Sequence, residues 1–322
     1  MTSRAGNGAA AATSAARRSQ ARKKLSIAFP STHQALSGAA RSHLARSPWV
    51  ATMIPAMPMY ETPTDMLLPG AVYAILLLAI TYLSMQVPAI KKLEWEKRLY
   101  CALCASSFIN ASITCGPALI ALWELINAPS FSTDCSSGAA NMLKLRTPPP
   151  ASATFACALV CGFFFQDSIM MIVYPKEMTK GLGGSSAYKI MWMHHLVSLF
   201  SWPYGICSDA AVIWITYYIA TEFTNIGQNA FMLANRGGFF QKQEMTIGIV
   251  WMIQFFVVRV VPVPYMLYAY FKIIFLSPPC GLSWPEWVVC LTTIPIPIAL
   301  NLFWFYKIAN KAMRMMRPKK KA

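Results

Sequence analysis

Several stretches of this chain are apolar for long enough to cross a bilayer, and that feature constrains its fold more than any other. A helix needs about 20 mostly apolar residues to span a hydrocarbon core of about 30 Å. That window finds seven candidates, at roughly 66–87, 99–126, 151–174, 187–206, 209–234, 245–270 and 284–309. Only 12% of the residues are charged, against about 25% in a soluble domain. The balance excludes a disordered chain and an ordinary soluble globule. The expected fold class is all-α, a polytopic membrane bundle of about seven transmembrane helices. Pro262, Pro264, Pro295 and Pro297 are expected to kink the last two, which neighbouring helices make tolerable. The fourth and fifth are parted only by Cys207 and Ser208 and could form one bent unit.

The formal charge of +16 does not point to nucleic acid, because most of the excess lies in two tails and one short loop. Residues 1–60 form a basic N-terminal tail rich in Ala, Ser, Arg and Pro, with no acidic residue before Glu61. Two readings fit it, a disordered tail leaning on anionic lipid head groups and an Arg/Ser-rich transit peptide, and the tail is favoured. The chain then divides into a first transmembrane helix with its linker (61–92), a helical bundle (93–317) and a basic C-terminal tail (318–322). Lys91, Lys92, Lys97, Arg98, Lys176, Lys180, Lys189, Arg236, Lys242 and the C-terminal tail fall on one side of a seven-helix bundle, with Lys144, Arg146 and Lys272 opposite. The richer side is expected to face the cytosol. The basic N-terminal tail then lands on the disfavoured side, a conflict that six or eight spans, or removal of the tail, would relieve. The ending Lys319-Lys320-Lys321-Ala322 fits a dilysine retrieval signal read by coat-type machinery, or a lipid-binding basic tail joined by Arg314 and Arg317. Either places the C-terminus in the cytosol, and the first places the protein in the endoplasmic reticulum.

Ionisable side chains inside spans are costly and face a cavity, a partner or the bundle interior. Here they are Asp167, His194, His195, Glu222 and Arg259, with uncharged companions Asn110, Gln166, Asn225, Gln228, Asn229, Gln254 and Asn301. At about 1.5 Å per residue, Asp167 and His194 lie about 10 Å from the cytosolic ends of their helices. By the same measure Asn225 and Asn301 lie about 13 and 12 Å deep. Glu222 and Arg259 sit deeper and could pair, while Glu222, Asn225 and Asn229 share one helix face by their spacing. Adjacent His194 and His195 point about 100° apart, so one ring is expected to enter a cavity while a neighbour such as Asp167 holds the other. No metal is expected, because helical ligand pairs need i, i+3 or i, i+4 spacing. A histidine acting as general base or nucleophile beside a carboxylate is chemically better motivated. An interhelical network that merely satisfies itself competes with a functional cavity on even terms.

Weaker signals read as structure. The Cys101-Ala102-Leu103-Cys104 pair opens a transmembrane helix and reads as packing. Cys135, Cys207 and Cys280 fall in loops on the far side, where two of them could join. Gly181, Gly183 and Gly184 mark a flexible turn without the strand a phosphate cradle requires.

The order of these groups resembles that of the TLC-domain family, named for the TRAM, LAG and CLN homology region. Glu94-Trp95-Glu96-Lys97-Arg98 looks like its E-W-x-x-R opening, and Gly162 to Asp167 is similar to G-Y-F-x-x-D. His194-His195-Leu196-Val197-Ser198-Leu199 looks like the double-His helix, and Glu222-Phe223-Thr224 with Asn229 like E-x-[ST]…N. Arg259, and Asn301 with Trp304, stand where members carry Arg and N-x-x-W. The resemblance implies a membrane protein of lipid metabolism, among whose relatives are ceramide synthases and regulators of phospholipid composition. The H-D-x-x-D element of the synthases is absent, with Ala230, Phe231 and Met232 after Asn229. Cys104, Ile226 and Phe231 replace a His, a Pro and an Arg common in the family. These departures point to the non-synthase branch.

The expected function is therefore lipid homeostasis, with membrane lipids as partners and no cofactor. A phospholipid or sphingolipid would occupy a polar cavity formed by Asp167, His194, His195, Glu222, Asn225, Asn229, Arg259 and Asn301. The alternative is an acyltransferase with acyl-CoA as co-substrate. In it His194 or His195 would act as base or nucleophile, oriented by Asp167, with Asn225 or Asn229 as oxyanion donor.

Overall fold

The computed structural model describes residues 57–128, 142–145, 147–276 and 281–316. The N-terminal tail up to residue 56, Cys135, Arg146, Cys280 and the C-terminal lysines lie outside them, so the expectations placed there are not addressed. Among the described residues the structure is helical, with one isolated antiparallel bridge between Lys144 and Ala210.

The first helix, α1 (Pro63–Gln86), starts on a capping box in which the Thr62 hydroxyl and the Asp65 carboxylate each accept the other's backbone N–H. After the short α2 (Pro88–Lys91) comes α3 (Trp95–Asn127), followed by α4 (Ala151–Val173). The amphipathic α5 (Pro175–Leu182) ends at Gly183, whose φ of 88° is the left-handed conformation that lets the chain turn into α6 (Ser185–Cys207). The sixth helix is not bent into the next. The chain reverses at Ser208–Ala211, with Asp209 and Ala211 held at φ of 61° and 55°. It then forms α7 (Val212–Ala220), a 3-10 turn (Thr221–Phe223) and α8 (Thr224–Asn235).

The expected proline kinks take specific forms. After α9 (Glu244–Phe255) a π-turn at Phe256–Val260 precedes Pro262, and α10 resumes over Val263–Phe271. Between α11 (Trp284–Thr293) and α12 (Pro295–Met316) the break falls immediately before Pro295, which lacks the N–H needed to continue the ladder.

Five of these units are long and apolar enough to cross a membrane among the described residues: Pro63–Gln86, Trp95–Asn127, Ala151–Val173, Gln241–Phe275 and Trp284–Arg314. The other two expected spans fall short. Lys189, His194 and His195 dilute α6, and Glu222, Asn225, Gln228 and Asn229 dilute α7–α8. The apolar units differ sharply in burial. In the most apolar window of each, 61% of Ala151–Val173 is buried but only 17% of Gln241–Phe275. The latter leaves Val250, Ile253, Val257, Tyr265 and Phe271 exposed, as lipid-facing side chains require.

Helix contacts form a ring. The order is α3, then α7 with α8, then α9, then α12 with α11, then α6, then α4, which returns to α3. Helix α1 lies outside, packed on α3 and α4. Its approach to α4 is possible because Gly70 faces Gly162, where an added Cβ would strike the Gly70 carbonyl oxygen.

The two ends of the ring differ. At one end Leu143, fully buried, is clipped into the core by hydrogen bonds from Ala211 N to Leu143 O (2.7 Å) and Leu145 N to Asp209 O (2.8 Å). Lys144 beside it pairs with Glu286 at 2.5 Å. Small residues of α4 (Ala153, Ala156, Cys157, Ala158, Cys161) pack there against Trp214, Ile215 and Ile219. The opposite end, carrying α5, Arg236 and Lys311, surrounds a cavity.

Candidate functional site

The ring encloses a cavity of about 410 Å³ lined by α3 to α9, the π-turn and α12. All eight residues expected at a polar cavity line it: Asp167, His194, His195, Glu222, Asn225, Asn229, Arg259 and Asn301. Gln166 and Gln228 join them, whereas Asn110 is fully buried in α3 outside the lining. Gln254, also outside it, donates to the Phe223 carbonyl oxygen at 3.4 Å.

Arg259 organises the deep end. Its Nε donates to Thr224 Oγ1 (2.8 Å), one terminal nitrogen to Asn301 Oδ1 (3.3 Å), and the other to the Thr221 carbonyl (2.8 Å) and Glu222 Oε1 (3.4 Å). The 3-10 turn at 221–223 brings the Thr221 carbonyl, the Glu222 carboxylate and, just beyond it, the Thr224 hydroxyl toward one guanidinium. Glu222 also accepts from Asn225 Nδ2 at 2.5 Å, and Asn229 Nδ2 donates to Ser107 Oγ of α3 at 2.9 Å. The stripe Glu222, Asn225, Asn229 thus faces inward across the break, and the expected pair of Glu222 with Arg259 is present.

The histidines are set by Phe164. Its ring, 2% exposed, lies against His195 at 4.9 Å between centroids with planes 27° apart, meets His194 edge-on at 5.5 Å, and touches Trp202 at 5.5 Å. His195 Nδ1 lies 3.5 Å from Asp167 Oδ2, an ion-pair distance without hydrogen-bond geometry, so this buried nitrogen has no hydrogen-bond partner. Both rings line the cavity, His195 buried and His194 half-buried.

Three lining residues carry buried polar atoms without partners: Gln166 at both amide atoms, His195 at Nδ1 and Trp251 at Nε1. A buried polar atom left unpaired costs about 1–3 kcal/mol. These atoms are closed off within the wall, and Asn110, Ser168, Trp214 and Thr216, outside the lining, carry unpaired buried polar atoms as well. Cys104 also lines the cavity, while Cys101 packs beside Gly237, so this pair belongs to the wall. Among the described residues no cluster of three or more His, Cys, Asp or Glu has metal-ligand geometry.

Sequence reasoning missed Ser107, Thr221 and Thr224, ordinary hydroxyls in helices, and Phe164, Trp202 and Trp251, ordinary core aromatics. It also missed Lys307 and Lys311 on α12. A signal for those existed: Asn301, Trp304, Ile308 and Lys311 recur at helical spacing on one face, and all four line the cavity.

A family model described as the TLC domain matches residues 102–310. No curated protein and no solved structure gives a match.

Proposed function

Because the chain belongs to the TLC-domain family of membrane proteins, a family linked to lipid metabolism, we propose that it binds a membrane phospholipid or sphingolipid within the ring and acts in lipid homeostasis. A polar group of the lipid pairs with the polar part of the lining, and its chain lies against Phe163, Leu103, Met191, Met232 and Ile249. The observation that carries this reading is the convergence of Asp167, His195, Glu222, Asn225, Arg259 and Asn301, from separate helices, on one cavity. A volume of about 410 Å³ falls in the range of small-molecule sites, about 300–1,000 Å³.

In the same proposal the bundle crosses the membrane seven times. Of the two less apolar units, α7 is buried among its neighbours and α6 turns its histidines inward while its outer face stays apolar, which is where ionisable side chains are tolerated. The basic end faces the cytosol, the protein belongs to the non-synthase branch, and it resides in the endoplasmic reticulum. Purification in mild detergent followed by mass spectrometry tests the reading. A selective lipid, retained at near one per chain, is the expected result; repeated recovery of bare protein would refute it.

The acyltransferase alternative draws on one observation, the position of Asp167 3.5 Å from His195 Nδ1. Asn225 and Asn229 each commit one of their two amide N–H groups, to Glu222 and Ser107, which leaves one donor apiece for an oxyanion. Membranes supplied with labelled acyl-CoA and candidate amine or lysolipid acceptors separate the two readings. Turnover that disappears on His195→Ala would favour the enzyme.

A further inference from the structure

The wall of the cavity changes character along its length. Its deep end is the polar network around Arg259. Next comes an apolar sleeve of Leu103, Phe231, Met232, Ile249 and Trp304, and then three cations at the basic end: Arg236, Lys307 and Lys311. Lys307 and Lys311 stand six and ten residues beyond Asn301 on α12, about 9 and 15 Å along the axis. Asn301 is buried, whereas both lysines are exposed, so the cations sit at a rim.

Each cation lies over an aromatic ring. The Arg236 guanidinium is 4.7 Å from the Tyr100 centroid and Lys311 Nζ is 4.7 Å from that of Phe231. Lys307 Nζ is 4.9 Å from the Phe303 ring and 5.7 Å from Trp304. A ring face fixes a cation while leaving its N–H groups available to an acceptor. Neutralisation within the protein is confined to Lys311, which the nearby Glu244 carboxylate attracts. Lys311 donates to Asn235 Oδ1 at 3.0 Å, and Asn235 in turn donates to Glu244. Among the described residues, Arg236 and Lys307 have neither an ion pair nor a side-chain hydrogen bond.

A basic cytosolic face alone would need no explanation, because short cytosolic loops are basic in general. These three differ from Lys91, Lys92, Lys176 and Lys189 at the same end, none of which lines the cavity. Their convergence on the mouth of a sleeve matches a ligand that is anionic at one end and apolar beyond it. Arginine and lysine together suit phosphate, which accepts charge-assisted hydrogen bonds on several oxygens.

We propose that Arg236, Lys307 and Lys311 form a phosphate site at the mouth of the cavity, and that the ligand is a phosphate-bearing amphiphile whose chain enters the sleeve. This rests on the lipid-binding reading above, narrows it from a phospholipid or sphingolipid to a ligand that carries phosphate, and sets that phosphate at the rim. The phosphate could belong to a membrane lipid headgroup or to a soluble carrier, and both present the same group to the rim.

The test uses the full chain in a neutral maltoside detergent. Binding of a lysophosphatidic acid is compared with that of the monoacylglycerol of identical chain, which lacks only the phosphate. The expected preference for the phosphorylated probe is about tenfold or more. It should vanish in the double variant Arg236→Gln/Lys307→Gln and persist in Arg236→Lys/Lys307→Arg, which keeps charge and so controls for misfolding. It should also persist in Lys91→Gln/Lys92→Gln, which removes cations outside the cavity. Equal binding of the two probes, or a preference that survives the double glutamine variant, overturns the phosphate site and leaves the lipid-binding reading standing. Failure of both probes to bind overturns both. Displacement of the lipid probe by coenzyme A assigns the rim to a soluble phosphate carrier, and lack of displacement assigns it to a lipid headgroup; either supports the site.

Discussion

Replacing Arg259 by Met exposes how the deep network is held. The Arg259 and Glu222 side chains are only 14% and 10% exposed, and the guanidinium donates to four groups from Thr221, Glu222, Thr224 and Asn301. The variant strands the Glu222 carboxylate with only Asn225 for company. Removing one partner of a buried pair costs about 3–5 kcal/mol, because the other charge stays behind. In thermal unfolding in detergent this corresponds to a fall of roughly 10 °C. The second arm is Glu222→Gln in the same chain. It removes the stranded charge yet keeps an acceptor for Asn225, so the double variant should recover more than half of the loss. That recovery is the coupling a double-mutant cycle isolates. If the double variant is as unstable as the sum of the two singles, Glu222 and Arg259 do not hold each other and the network described here is wrong.

Three further outcomes follow from particular contacts. Gly162→Ala forces a Cβ onto the Gly70 carbonyl, and the overpacking should cost about 1–3 kcal/mol and loosen α1, read as faster proteolysis between α1 and α3. Gln166→Leu removes an amide that has no internal partner, so the lipid-free protein should be as stable as the parent or more so, while retention of co-purified lipid falls; a large loss of stability would contradict the account. Burial pushes the Asp209 carboxyl above the usual carboxylate range, and φ at this residue is 61°. A carboxylate with a raised folded pKa loses stability as pH rises through that range. Asp209→Asn, which tolerates the left-handed backbone, should therefore match the parent near pH 3 and exceed its melting temperature at pH 7.

Much of the site was legible because polar groups are conspicuous against apolar helices. Glu222, Asn225 and Asn229 betrayed their common face by spacing, and Asp167, His194 and Arg259 had no inexpensive place except an interior. Periodicity could not show that a 3-10 turn would break the helix at Thr221–Phe223, since nothing in Thr-Glu-Phe forbids an α-helix; the turn follows from what the Thr221 carbonyl and Thr224 hydroxyl offer Arg259. Two expected spans also proved ambiguous for a physical reason. Hydropathy averages over a whole helix, so α6 is penalised for His194 and His195 although those rings turn inward and its outer face carries Met193, Leu196 and Phe200. The Leu143–Leu145 clip was invisible because two leucines flanking a lysine in a loop carry no readable period.

The central claim is that a lipid lies inside the ring rather than only around it. A photoactivatable fatty acid fed to cells expressing the full chain, followed by peptide mapping of the crosslinks, measures this most directly. The account predicts adducts on lining residues such as Met232, Met245 and Trp251, reduced in Gln166→Leu. Adducts confined to outward-facing Val250, Ile253, Tyr265 and Phe271, unchanged in that variant, would contradict it.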